Sequence, residues 1–200
     1  MKGNNWWNSC ITVDGKLYVA VGSDGEGCRI VELGDDGAKN VAPLSGAPCN
    51  ILLSFRDNLL VSAGNILYTV SNNGAKPVLK ANNRNWFWHA VEAYGRVFVQ
   101  EYGESLTGIY VSEDLVGFRL LATNKDVDPL SRHFHYISFD ERRNILIAML
   151  GDGNIVKVAI STNCRSNWTP LYKGPWQLVP VLVEEDRWVL GLIVLLLEVV

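Results

Sequence analysis

The sequence predicts an all-β protein, a β-propeller of four-stranded antiparallel blades, and three observations carry that prediction. Short β-rich apolar runs broken by Gly, Asn and Asp fill the 200 residues, and no stretch keeps a helical period. A self-comparison offset by 80 residues aligns NWWNSCITVDGKLYVAV (5–21) with NWFWHAVEAYGRVFVQE (85–101), an interval that holds two units of about 40 residues. Residues 132–171 spell out one whole unit. It has an alternating run 133–139, a polar hairpin 140–144, an apolar run 145–150, a Gly-Asp-Gly-Asn turn, a third run 155–160 and a last short strand from Trp168.

The units follow in chain order. The first spans 5–46. The second, 48–81, is the cleanest meander, with strands expected at 51–55, 59–63, 66–70 and 76–79. The third covers 83–125 and the fourth 126–174. A fifth begins at Pro175 and reaches only its second strand, so about four and a half blades are expected, an incomplete ring with a cut or altered C-terminus. The apolar run 189–197 is read as that second strand, because a membrane-spanning helix needs about 20 residues. Unpaired blade edges would favour self-association.

Composition narrows the function classes. Hydrophobic residues make up 48%, charged residues 20%, and the net charge is −3, which describes a globular chain able to bury a core. The slightly acidic balance and the lack of a basic stripe argue against nucleic-acid binding. The first residues, MKGNNWWNSC, contain no apolar h-region, so no signal peptide is visible and a cytoplasmic setting is favoured. Cys10, Cys28, Cys49 and Cys164 show no C-x-x-C spacing and are accordingly expected as free thiols. The sequon Asn167-Trp-Thr169 is then a chance match.

Aligning the units gathers chemistry at one end. Asn5-Trp6-Trp7, Asn50, Trp86-Phe87-Trp88-His89, Arg132-His133-Phe134-His135 and Trp176-Gln177 all fall where a first strand begins. In a propeller the first strands line the central channel, so these residues are expected at its mouth. Trp86, Trp88, His89, Arg132, His133 and His135 are therefore the candidate ligand-binding residues. His133 and His135 share a strand face, and with His89 they form a candidate site for a divalent metal. Turns after the second strands add Asp24, Glu26, Glu101, Tyr102, Glu104 and Asp152 at the same mouth. Aromatic planes beside carboxylates suit a carbohydrate or a similar small polar ligand, whose CH-rich face stacks while its hydroxyls hydrogen-bond.

Between the third and fourth strands of the fourth unit stands Ser161-Thr-Asn163-Cys-Arg165-Ser-Asn-Trp168, which follows S-x-D-x-G-x-x-W with Asn for Asp and Arg for Gly. Weaker forms are Ser112-Glu-Asp114-Leu-Val-Gly117-Phe118 and Ser71-Asn-Asn73-Gly74. In this motif the acid or amide ties down its own turn and the Trp packs between sheets. The chain thus resembles the BNR (Asp-box) repeat proteins, the sialidase-like propellers, over about residues 85–190. The resemblance implies carbohydrate binding, with exo-sialidase-like glycoside hydrolysis or a non-catalytic assembly scaffold as alternatives. Glu101, Tyr102 and Asp152 are the catalytic candidates for hydrolysis. The Arg-Ile-Pro motif of such sialidases is missing, since Arg29-Ile30 is followed by Val31.

Overall fold

The computed structural model describes residues 5–23, 27–82, 84–104, 106–152, 155–162, 164 and 166–193. Four antiparallel meanders follow one another. The first sheet comprises β1 (Asn5–Val13), β2 (Lys16–Ser23), β3 (Gly27–Gly34) and β4 (Gly37–Leu44). The second is β5 (Cys49–Phe55), β6 (Asn58–Ala63), β7 (Ile66–Ser71) and β8 (Gly74–Lys80), matching the meander expected over 48–81. The third is β9 (Asn85–Ala93), β10 (Arg96–Gly103), β11 (Gly108–Ser112) and β12 (Arg119–Thr123). The fourth is β13 (Phe134–Asp140), β14 (Ile145–Leu150), β15 (Ile155–Thr162) and β16 (Thr169–Gly174). A fifth sheet pairs β17 (Gln177–Val183) with β18 (Trp188–Ile193).

The protein is a β-propeller, and its sheets stack by apolar faces. First strands pack in series, β1 on β5, β5 on β9, β9 on β13 and β13 on β17. Between the third and fourth sheets Phe98, Ile109, Phe134, Ile137 and Leu146 are fully buried, with Trp168 packed against them. Between the fourth and fifth, Ile147, Met149 and Val158 meet Val181 and Trp188. No helix among the described residues is long and apolar enough to cross a membrane.

Turn chemistry sets the strand register. The hairpins after β1, β5 and β9 turn through Asp14-Gly15, Arg56-Asp57 and Tyr94-Gly95, both central residues of each having positive φ. That backbone suits the right-handed twist of the flanking strands. The turns from third to fourth strand repeat as well. Gly74, Leu115 and Cys164 each stand three residues after a serine and have φ of 99°, 61° and 49°. In the third sheet Asp114 Oδ1 accepts the N–H groups of Val116 (2.8 Å) and Gly117 (3.0 Å), while the Ser112 hydroxyl oxygen accepts from Leu115 N (3.0 Å). Leu115 and Cys164 are both buried at this corner, which locks the turn to the sheet. Asn163 and Arg165 lie outside the described residues.

One turn of helix, α1 (Asn124–Val127), connects the third and fourth sheets in an otherwise all-β chain. Its signals are local and polar: Thr123 donates its N–H and hydroxyl to Asp126 Oδ2 at 2.7 and 2.8 Å, and Asn124 Nδ2 donates to Ser131 O. Such contacts leave no apolar period to read. Cys28 and Cys49 are joined as a disulfide between β3 and β5, while Cys10 and Cys164 are free. Stacking of the first two sheets brings those cysteines together, and spacing along the chain carries no trace of it. The reduced-thiol reading fails for this pair.

A third regularity governs the site. Each four-stranded sheet has a register skip near the start of its first strand, falling on Asn8, Leu52, Trp88 and His135. A bulge of this kind inserts one unpaired residue and re-aims the side chains around it.

Candidate functional site

The starts of β9 and β13 and the ends of β10 and β14 meet at one end of the third and fourth sheets. His135 stands at the register skip of β13, and its Nε2 lies 2.9 Å from that of His133. The rings run nearly parallel, with 17° between planes. His133 Nδ1 is 2.7 Å from the carbonyl oxygen of Gly103. A carbonyl only accepts, so Nδ1 carries the proton and, in the neutral ring, Nε2 bears the lone pair. Gly151 sits directly beneath: a Cβ there would overlap His135 Nε2 and stand 2.7 Å from His133 Nε2. Space, not backbone angle, dictates this glycine.

Asp152 follows β14 with φ of 55°, a conformation that Asp tolerates better than most residues. Gln177 Nε2 of β17 donates to its Oδ1 at 2.8 Å. Its Oδ2 faces His133 Nε2 at 3.7 Å and Arg132 Nη1 at 3.4 Å. Three sheets thus assemble the group: two imidazoles and a carboxylate from the fourth, and orienting partners from the third and fifth.

Aromatic rings wall the same place. Tyr102 lies 5.1 Å from Trp86, 5.6 Å from Trp88 and 4.5 Å from His133, centroid to centroid. Trp86, Tyr102, His133 and Asp152, with Arg84, Glu104 and Arg132 at the rim, line an open cleft of about 750 Å³. An open groove of about 850 Å³ at the outer ends of the fourth and fifth sheets is lined mainly by acidic side chains, Asp140, Glu141, Glu184, Glu185 and Asp186. It lacks the imidazoles and stacked aromatics of the first cleft.

Burial tunes the ionisable groups. It holds His133 below the usual imidazole range against the pull of the Gly103 carbonyl and Asp152, and it pushes His135 down to about 4 with help from His133. Burial, then the nearby Asp152 charge, raises Tyr102. Lys157 on β15 is 0% exposed, and its Nζ has no hydrogen-bond partner among the described residues. Burial lowers its ammonium pKa while Asp152 raises it, and its charge in turn disfavours protonation of both histidines.

The expected residues divide. Trp86, Tyr102, Arg132, His133 and Asp152 line the cleft, His135 stands against His133, and Trp88 joins the aromatic group. His89 stands apart. One position past the bulge at Trp88, it pairs across from Gln100 and stacks on Tyr136 of the next sheet at 4.0 Å. Glu101 also leaves the cleft: 1% exposed, it accepts from Asn82 N, Asn85 Nδ2, Gly108 N and the Tyr110 hydroxyl. Asp24, Glu26 and the side chains of Trp6 and Trp7 lie outside the described residues. Sequence reasoning passed over Gly151 and Lys157. A lone lysine within the apolar run IVKVAI was the signal for the second.

No family model matches the sequence, and no curated protein matches it. Solved structures do. A chain from a structural and mechanistic analysis of two prolyl endopeptidases superposes with a TM-score of 0.59 at 9% identity, over 89% of this chain and 28% of that one. The CNH domain of AfRom2 gives a TM-score of 0.62 at 16% identity, over 94% of this chain and 66% of that one. The likeness is one of fold. This chain spans less than two thirds of either, and identities this low carry the propeller architecture alone. Neither is described as an Asp-box protein, so that resemblance rests on the serine-led turns of this chain.

Proposed function

We propose that this propeller binds a carbohydrate in the cleft between its third and fourth sheets. The observation that carries the reading is the pairing of the tilted Trp86 and Tyr102 rings with Arg84, Glu104, Arg132, His133 and Asp152 around one open volume. The rings offer an apolar platform for a pyranose face, and the rim offers donors and acceptors for its hydroxyls. Binding is favoured over hydrolysis because Glu101, one of the three catalytic candidates, spends both oxygens on its own sheet. A sialidase-like activity would also call for a third arginine beside Arg84 and Arg132.

Tryptophan fluorescence titrations with neutral and acidic mono- and oligosaccharides test this. Saturable quenching that disappears in Trp86→Ala supports the reading. No response to any glycan, or an unchanged response in that variant, ends it. A second reading, self-association, is favoured by Leu182, Val189, Leu190 and Leu192, all exposed on the fifth sheet. Sedimentation that stays monomeric across a hundredfold concentration range would remove it.

A further inference from the structure

The geometry points to a divalent transition-metal site of zinc type, with His133 Nε2, His135 Nε2 and Asp152 Oδ2 as ligands and a fourth position open to the cleft. The three ligand atoms lie within 4.8 Å of one another. Tetrahedral ligands on zinc stand about 3.4 Å apart. The pair distances of 2.9 Å between the imidazoles and 3.7 Å from His133 to Asp152 bracket that value, so small side-chain rotations close the set.

The supporting shell is the stronger argument. A metal-bound imidazole ordinarily gives its other N–H to a carbonyl or carboxylate, which fixes the ring and its tautomer. His133 does this toward Gly103 O at 2.7 Å. A ligating carboxylate is ordinarily held through its second oxygen, and Gln177 holds Asp152 Oδ1 at 2.8 Å, leaving Oδ2 turned to His133. Gly151 clears the space where the imidazoles converge. His133 and His135 are buried while Asp152 is partly open, so the ligand-free side faces the cleft. Two nitrogens and one carboxylate oxygen suit zinc and its first-row neighbours rather than calcium or magnesium. This inference stands apart from the carbohydrate reading, since a metal alone is the probe.

The experiment is titration of tag-free, EDTA-stripped protein with Zn²⁺ by calorimetry and with Co²⁺ by visible absorption. One saturable site with Co²⁺ d–d bands is expected. It should be abolished in His135→Ala and in Asp152→Asn, and weakened about tenfold in Gln177→Leu, where only the orienting bond is lost. Should His135→Ala fail to fold, imidazole ¹⁵N spectra of the wild-type protein decide: Zn²⁺ should shift His133 and His135 while His89 stays put. Absence of saturable binding overturns the site. So does equal affinity in Asp152→Asn, or a shift at His89 alone.

Discussion

Glu101 stands near the end of β10, inside the strand and not on the turn the sequence suggested, and Asp152 stands just past the end of β14, yet the chain treats the two carboxylates in opposite ways. In the third sheet Glu101 is buried and receives donors at 2.9 to 3.4 Å from Asn85, Gly108, Tyr110 and Asn82. Tyr110 stays protonated to donate, since burial and then the Glu101 charge push its hydroxyl up to about 12. At the mouth of the fourth sheet Asp152 is partly open, with one oxygen held by Gln177 and the other directed at imidazole and guanidinium groups 3.7 and 3.4 Å away. A carboxylate whose lone pairs are all engaged by its own sheet is a structural clamp. One that is oriented through a single oxygen remains able to take a ligand.

The sharpest way to break this comparison is to delete each carboxylate. Glu101→Ala strands four donors in a buried niche and should cost roughly 3–5 kcal/mol in denaturant unfolding. Asp152→Asn should cost less than about 1 kcal/mol, because Asn keeps an oxygen for the Gln177 amide and the Arg132 guanidinium stays in solvent. Equal losses would void the distinction between clamp and mouth.

Trp168 extends the test to the sheet interface. It is half-buried against the core shared by the third and fourth sheets, so Trp168→Ala should destabilise by about 3 kcal/mol while leaving any cleft ligand affinity unchanged. A loss of affinity without loss of stability would mean that the corner turn and the mouth are coupled.

Histidines give the third test, by pH. Burial pushes His89 down to about 4, so the folded protein holds it neutral where the unfolded chain, near 6.5, already takes up a proton. The unfolded state then binds more protons between those values, and stability should fall as pH drops from 6.5 to 4. His89→Phe should flatten its share of that slope in urea midpoints measured at pH 7 and 4.5. An unchanged slope would place His89 in water.

The smallest effect expected is a gain. Lys157 is a buried cation whose Nζ has no acceptor among the described residues, and Lys157→Met should raise stability by about 1 kcal/mol. A loss instead would reveal that the ammonium is held by the mouth it faces.

Much of the fold was legible because strand and turn signals are local. The 80-residue offset aligned β1 and β2 with β9 and β10 end for end, from Asn5 and Asn85 to Ser23 and Gly103. His133 and His135 were legible as a pair because two residues on one strand share a face. His89 was misplaced with them because nearness to a strand start is not equivalence: counted from the two bulges, His89 matches Tyr136, on which it stacks, and not His133 or His135.

By itself, then, the order of residues determined the meanders, the serine-led corner turns and the end of the sheets where imidazoles and indoles collect, since each depends on neighbours within a strand or hairpin. Only the tertiary structure decided which of those groups meet. The Cys28–Cys49 pairing, the Gly103 carbonyl on His133, the Gln177 amide on Asp152 and the withdrawal of Glu101 follow from how sheets stack and how Tyr110 and Asn85 close over a side chain. Contacts between sheets, and niches closed by packing, are set by twist, bulge and stacking distance, quantities that accumulate over a whole blade and that no short stretch of chain encodes.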